Sequence, residues 1–136
     1  SLENKITGKI KVNNHLDVLL TGTIDRIDTF NNNLRIIDYK SGKIETNYLK
    51  FKGFEILKNN HKYSNMLQLL FYKLLVSKKH QDVNEIGLCY FKKNNNPYEF
   101  IENSEDIEIS KIENFIREII ESIMEKESFI DSGNPA

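Results

Sequence analysis

The chain has 136 residues, of which 39% are hydrophobic and 29% are charged, and its formal net charge is −1. This length suits a single domain with a proper core, and a charge near zero argues against a generic nucleic-acid binder that works by charge alone. The sequence shows no signal peptide and no apolar run of the roughly 18–20 residues that cross a bilayer, and its single cysteine favours a reducing, cytoplasmic location.

The hydrophobic pattern predicts three strands in the first third of the chain. Residues 5–12 and 16–28 read as strands, and a turn at 31–33 leads to a third strand over 34–40. Short polar turns between them predict an antiparallel meander. Further on, the pattern predicts a buried helix at 62–79 and strands at 85–92 and 98–102. An apolar stripe over 112–123 predicts a final amphipathic helix. This order indicates a mixed α/β domain in which helices cover a central sheet.

Charge is distributed unevenly along the chain. Between Lys40 and Tyr63, six lysines stand against two glutamates, whereas residues 99–131 hold eleven acids against three basic residues. Either these are two solvated faces of opposite sign, or the basic block receives a polyanion. Three aromatic residues lie in the basic block and either cover the sheet or stack on bases: Tyr48, Phe51 and Phe54.

The stretch IIDYKSGK at 36–43 ends a buried strand with an acid and a lysine two residues apart. Residues i and i+2 share one face of a strand, so Asp38 and Lys40 point the same way. A hairpin centred on Asn32 puts Asp25 opposite residue 39, beside both of these side chains, although the register depends on the turn type. We therefore expect two carboxylates and a lysine to converge. An ordinary ion pair is the alternative.

Two adjacent carboxylates repel each other unless a cation lies between them. A hard ion such as Mg²⁺ suits an oxygen site of one or two carboxylates plus waters and phosphate oxygens. A nearby lysine can offset negative charge that develops at phosphorus. These residue types therefore favour phosphodiester hydrolysis. We expect Arg26 and Asp28 to form a surface pair and Cys89 to be a small core residue. The three histidines are expected to be exposed to solvent: His15, His61 and His80.

Three ordered blocks resemble the catalytic core of the PD-(D/E)XK nuclease superfamily, and within it the RecB/AddB branch. The blocks are GTIDRID at 22–28, IIDYKSGK at 36–43, and the Q-x-x-x-Y pattern of Gln68 and Tyr72. The likeness covers roughly residues 20–93. It implies a restriction-endonuclease-like α/β core, with a mixed central sheet flanked by helices.

The resemblance also implies residue roles. Asp25 and Asp38 would bind Mg²⁺ or Mn²⁺ with help from the backbone carbonyl of Tyr39, and Lys40 would be the catalytic lysine. Gln68, on the predicted helix, would contact DNA or the water network at the metal. Tyr72, on the same helix, would support the site or the DNA backbone. From its position just past Gly42, Lys43 is a further candidate for phosphate contact.

The implied function is metal-dependent hydrolysis of DNA phosphodiester bonds, by exonuclease or endonuclease action, in DNA repair or recombination. The implied partners are DNA and the helicase domain or subunit of a larger protein. We expect residues 1–136 to form one nuclease-like domain truncated at both ends, so that the isolated chain could be inactive. Residues 129–135 resemble the lead-in to an iron–sulfur cluster that only the parent protein would hold.

Two alternatives remain open at the level of the sequence. The first is a non-catalytic DNA-binding or subunit-docking module with the same fold. The second is a metal-dependent enzyme acting on RNA or a nucleotide.

Overall fold

The computed structural model describes residues 4–42, 49–92, 95–102 and 104–131, with side chains described as far as residue 127. Six strands and two α-helices make up the fold in these ranges. The strands are β1 (Asn4–Asn13), β2 (Leu16–Ile24), β3 (Arg26–Phe30), β4 (Asn33–Lys40), β5 (Glu85–Tyr90) and β6 (Tyr98–Phe100). The helices are α1 (Ser64–Lys79) and α2 (Ile109–Asp131), and short 3-10 turns lie at 55–57, 61–63 and 104–106.

The central sheet has the strand order β3-β4-β5-β6 and is mixed. β4 and β5 run parallel, while the β3–β4 and β5–β6 pairs are antiparallel. A parallel pair needs a crossover connection, and α1 supplies it. The mixed α/β class with a sheet flanked by helices is therefore confirmed. None of the described helices is long and apolar enough to span a membrane.

The predicted three-stranded meander is wrong, because the stretch 16–28 is two strands. It bends at Asp25, which separates β2 from β3. β1 and β2 form their own two-stranded ribbon, and only β3 and β4 enter the central sheet. The apolar positions that face the core are even-numbered as far as Ile24 and shift to Ile27 beyond the bend, a change of phase that the interpretation as one strand overlooked.

The turn between β3 and β4 has two residues rather than the predicted three. Asn31 and Asn32 have φ values of 51° and 66°, and Phe30 pairs directly with Asn33. Two consecutive left-handed residues are the signature of a type I′ hairpin turn, a conformation that asparagine tolerates. The hairpin is therefore centred between the two asparagines, which corrects the register centred on Asn32. Extended past Arg26–Ile37, this register places Asp25 opposite Asp38.

The core lies between α1, the central sheet and the ribbon. α1 is buried along most of its length, and its fully buried residues include Met66, Leu69, Leu70, Leu74 and Leu75. The apolar stripe of α2 packs against this core through Ile112, Phe115 and Ile116, as predicted, whereas Ile123 is 52% exposed. Helix α1, which contains the Q-x-x-x-Y pattern, thus packs against both the central sheet and the β1–β2 ribbon.

Candidate active site

The acid and the lysine at the end of β4 form an ion pair. Lys40 Nζ lies 2.8 Å from Asp38 Oδ2. Asp38 is 5% exposed, so its carboxylate is buried, while Lys40 keeps partial access to solvent. Both side chains share the face of β4 that Ile36 buries against α1, because they alternate with Ile37 and Tyr39. The ion pair therefore lies between the sheet and α1 and opens outward through the lysine.

Asp25 converges on this pair from the bend between β2 and β3. Its Oδ2 accepts a hydrogen bond of 2.9 Å from the backbone N–H of Tyr39. Burial raises the pKa of Asp38, and hydrogen bonding to Asp25 raises it further, while Lys40 opposes both effects. The two carboxylates are thus close enough to share a proton or a cation, and the predicted convergence is present in the fold.

The backbone of Tyr39 also faces Asp25. In an extended strand the N–H and the C=O of one residue point to the same side. Lys40, the next residue, directs its carbonyl to β5, where it accepts from the N–H of Phe91 at 3.1 Å. The carbonyl of Tyr39 consequently points away from β5 and toward the Asp25 side. Its ring lies on the opposite face of the sheet, 5.3 Å from the ring of Phe91.

Helix α1 presents Gln68 and Tyr72 to the same region, as their spacing of four residues predicts. Gln68 Nε2 donates to the Tyr72 hydroxyl at 3.0 Å, and that hydroxyl donates to the carbonyl of Thr23 at 2.9 Å. Burial raises the pKa of Tyr72, and the negative charges of Asp38 and Asp25 raise it further. The hydrogen of the hydroxyl is therefore committed to the strand that leads into Asp25.

Two aromatic residues of the basic block pack over the core. Phe51 and Phe54 pack edge to face at 5.0 Å, and Phe54 lies 5.1 Å from Phe115 in α2, so these two rings cover the core. Lys43 and Tyr48 lie outside the described residues. The three histidines are exposed and Cys89 is buried, as predicted.

Arg26 and Asp28 pair on the opposite face of the sheet, but they are not a simple surface pair. Arg35, only 8% exposed, also donates to Asp28 through two bonds of 2.7 and 2.9 Å. Rings of β3 and β6 lie 4.8–5.8 Å from its guanidinium: Phe30, Tyr98 and Phe100. Sequence reasoning missed Arg35, although its position two residues before Ile37 put it on this face.

Thr23 is the second residue that sequence reasoning missed. Its contribution is a backbone carbonyl, and a backbone acceptor has no residue-type signal. Only the i+2 relation between Thr23 and Asp25, together with a nearby tyrosine hydroxyl, could have suggested it.

The donor set fits a hard divalent cation. In the described ranges, no group of three or more His, Cys, Asp or Glu side chains is placed to hold a metal ion. The oxygen donors that converge are the two carboxylates and the Tyr39 carbonyl. Mg²⁺ typically takes one or two carboxylates and completes its coordination with waters and substrate phosphate oxygens, so this set is sufficient.

The fold and the converging acids and lysine define a restriction-endonuclease-like protein. A family model of the PD-(D/E)XK nuclease superfamily matches residues 2–134, and the chain belongs to this superfamily. No curated protein and no solved structure matches the chain. Membership suggests nuclease, and hence hydrolase, activity on DNA, and nucleases of this superfamily generally use divalent metals. The resemblance to the superfamily is confirmed, while the RecB/AddB branch stays a prediction.

Proposed function

We propose that this chain is a Mg²⁺- or Mn²⁺-dependent deoxyribonuclease that hydrolyses phosphodiester bonds at the Asp25–Asp38–Lys40 site. The main support for the proposal is that two carboxylates and an ammonium group lie together where β2 and β4 end. An isolated buried carboxyl of raised pKa would favour its neutral form. A second carboxylate beside it makes the site a strong attractor for a cation.

In this proposal the carboxylates of Asp25 and Asp38 and the carbonyl of Tyr39 hold the cation. A bound Mg²⁺ would orient the phosphate and lower the pKa of an attacking water. Lys40, 2.8 Å from Asp38, is within reach of a phosphate held there, and its ammonium offsets the charge that develops on the phosphate oxygens. Its partial exposure leaves it free to turn from the carboxylate to the substrate.

Gln68 and Tyr72 act mainly as positioning residues. Their hydrogen-bond chain ties α1 to Thr23, two residues before Asp25, and so fixes the direction from which this carboxylate enters the site. Gln68 is half-buried, and one side-chain N–H and its carbonyl oxygen are left for DNA or for water at the cation. The Tyr72 hydroxyl is engaged on both sides, which favours support of the site over a DNA contact.

We further propose that residues 1–136 are one nuclease module that works with a helicase domain or subunit in DNA repair or recombination. The support is the order and spacing of the three sequence blocks, which resemble those of the RecB/AddB branch.

The test is cleavage of labelled single-stranded and duplex DNA by the purified chain in Mg²⁺ or Mn²⁺. Loss of a ligand or of the lysine should lower kcat by at least 10²–10³-fold, the range seen when one transition-state stabiliser is removed. The variants are Asp25→Asn, Asp38→Asn and Lys40→Gln, with Glu121→Gln, an exposed acid on α2, as the control.

Calorimetric titration with Mn²⁺ separates this proposal from a non-catalytic module. The wild type and Glu121→Gln should bind the metal, and Asp25→Asn and Asp38→Asn should not. Absence of binding in the wild type, or binding that survives both site substitutions, would remove the assigned roles. Matched RNA strands in the cleavage assay test the substrate class, because faster cleavage of RNA would favour a ribonuclease.

A further inference from the structure

The ribbon of β1 and β2 buries one face and leaves the other in solvent. Cβ atoms placed on Gly8 and Gly22 would lie 2.9 Å from Leu75 and 2.8 Å from Tyr72, so even-numbered residues face α1. Odd-numbered residues form what we call the outer face, and all of them are exposed or half-exposed. Its cross-strand pairs are Lys5–Thr23, Thr7–Thr21, Lys9–Leu19 and Lys11–Asp17.

The outer face carries uncompensated positive charge. It holds three lysines and one acid, and among the described residues no carboxylate forms a salt bridge with Lys5, Lys9 or Lys11. Lys11 lies directly opposite Asp17, which offsets its charge, so the net field comes from Lys5 and Lys9. Between these two lysines the face offers the hydroxyl groups of threonines: Thr7, Thr21 and Thr23.

The outer face leads into the candidate active site. Thr23 precedes Asp25 by two residues, so at about 3.3 Å per residue the Lys5–Thr23 pair lies roughly 7 Å along the strand from Asp25. The face then extends about 20 Å to the Lys11–Asp17 pair. Each strand of a duplex carries one phosphate per 3.4 Å of helix axis, so a duplex aligned with the ribbon advances by roughly six nucleotides over this length.

We propose that the outer face of the ribbon binds the phosphate backbone of the DNA strand that is cleaved. Lys5 and Lys9 pair with phosphates, the threonine hydroxyls donate to phosphate oxygens, and the strand runs along the ribbon away from the scissile bond. Such contacts fix position without reading bases, so the track accepts any sequence. The proposal rests on the assignment of the Asp25–Asp38 site as a nuclease centre.

The first experiment measures binding without any chemistry. Fluorescence anisotropy of a labelled 20-nucleotide single strand is recorded in EDTA over a NaCl titration. Each lost phosphate contact should lower the log–log salt slope by about 0.7, so Lys5→Gln/Lys9→Gln should lower it by about 1.4 and weaken binding roughly 25-fold at 0.1 M salt. The control, Lys79→Gln/Lys126→Gln, removes two exposed helix lysines and should leave the slope unchanged.

The second experiment links the track to cleavage. The Lys5→Gln/Lys9→Gln variant should raise KM and leave kcat near the wild-type value. Shortening the DNA flank that lies on the ribbon below about six nucleotides should weaken wild-type binding and should barely affect the variant. Thermal unfolding of both double variants should match the wild type, because exposed substitutions of this kind rarely change stability by more than about 0.5 kcal/mol.

Failure of this proposal is distinguishable from failure of the proposed function. An unchanged salt slope in Lys5→Gln/Lys9→Gln, or an equal loss in the control, overturns the track even if the chain cleaves DNA. If the wild type does not cleave but the slope falls as expected, the outer face still binds the DNA backbone, and it is the nuclease assignment, with the link to a cleaved strand, that fails. Binding of a labelled polyglutamate is measured for the same variants. If Lys5→Gln/Lys9→Gln binds DNA normally but no longer binds polyglutamate, the proposal is overturned in favour of an acidic protein partner.

Discussion

A methyl group added at Gly22 tests whether α1 positions the candidate site. The Cβ of an alanine there would lie 2.8 Å from Tyr72 Cε1 and 3.4 Å from Phe71 Cε2. Packed carbon atoms lie about 3.5–4.0 Å apart, so the tyrosine ring must retreat by about 0.7–1.2 Å. Its hydroxyl is held between Gln68 and the carbonyl of Thr23, and the retreat would therefore stretch these hydrogen bonds.

The free-energy cost follows from two opposing effects. Overpacking a filled core costs about 1–3 kcal/mol. Replacing glycine by alanine recovers about 0.4–1 kcal/mol by restricting the unfolded chain. The expected net loss for Gly22→Ala therefore lies between about 0 and 2.6 kcal/mol, and the midpoint of about 1.3 kcal/mol lowers Tm by about 4–5 °C in a chain of 136 residues. DNA cleavage should fall as well, because the displaced ring no longer fixes the strand before Asp25.

The measurement combines urea unfolding with cleavage rates for Gly22→Ala and for a control, Gly42→Ala. A Cβ on Gly42 meets nothing within 4 Å, so that variant should keep the wild-type stability. A double-mutant cycle with Tyr72→Leu isolates the contact, since the smaller side chain leaves room for the methyl group. If Gly22→Ala costs as much in the Tyr72→Leu background as in the wild type, the ring contact is not the cause and the argument is refuted.

Three further predictions concern the sheet and its charges. Gly87→Ala should lower the urea midpoint more than Gly22→Ala, because its Cβ would lie 2.5 Å from a backbone carbonyl of β6. Asp28→Asn should cost about 1–3 kcal/mol in urea unfolding, because it deprives the buried Arg35 of its charged partner. Since Arg35 lowers the pKa of Asp28, this difference should be present above the unfolded pKa of about 3.9 and should fade as the pH falls through the folded value. Asp38→Asn should show the opposite pH dependence, because burial raises the pKa of Asp38 in the folded protein. In metal-free buffer the wild type should lose stability relative to this variant as the pH rises from about 4 through the folded pKa. The loss should be about 1.4 kcal/mol for each unit by which the pKa is raised. Stability curves that do not diverge with pH would contradict the last two predictions.

Local periodicity was enough to predict the elements that position the site. β4 and α1 lie where the apolar pattern places them, and the i, i+2 and i, i+4 rules correctly put Asp38 with Lys40 and Gln68 with Tyr72. These relations depend on residues close together in the chain. The backbone geometry of a strand or a helix fixes them regardless of what packs nearby.

The features that the sequence could not supply depend on contacts between distant segments. Neither glycine nor proline lies at Asp25, and the local sign of the bend is a three-residue step from Ile24 to Ile27 in the apolar pattern. Where the bend places the Asp25 carboxylate depends on β4, which is distant in the chain. The run Asn31–Asn33 offers two placements for a tight turn, and only strand pairing selects one. Likewise, the bond from Tyr72 to the Thr23 carbonyl joins residues 49 positions apart, so no motif could indicate it.

The bend at Asp25 explains how the fold tolerates two facing carboxylates. If β3 continued in its register, Asp25 would lie opposite Asp38, and like charges in directly opposed positions destabilise a sheet. The next hydrogen-bonded pair would be Ile24 with Tyr39, whose N–H would then donate to the Ile24 carbonyl. In the folded chain the carboxylate of Asp25 accepts that N–H instead, at 2.9 Å. The side chain thus replaces a lost backbone acceptor, and it is held beside Asp38 by a hydrogen bond that partly offsets the repulsion. A site of this kind has to interrupt the ladder, because an unbroken strand would leave the Tyr39 carbonyl bonded to β2 and unable to face a cation.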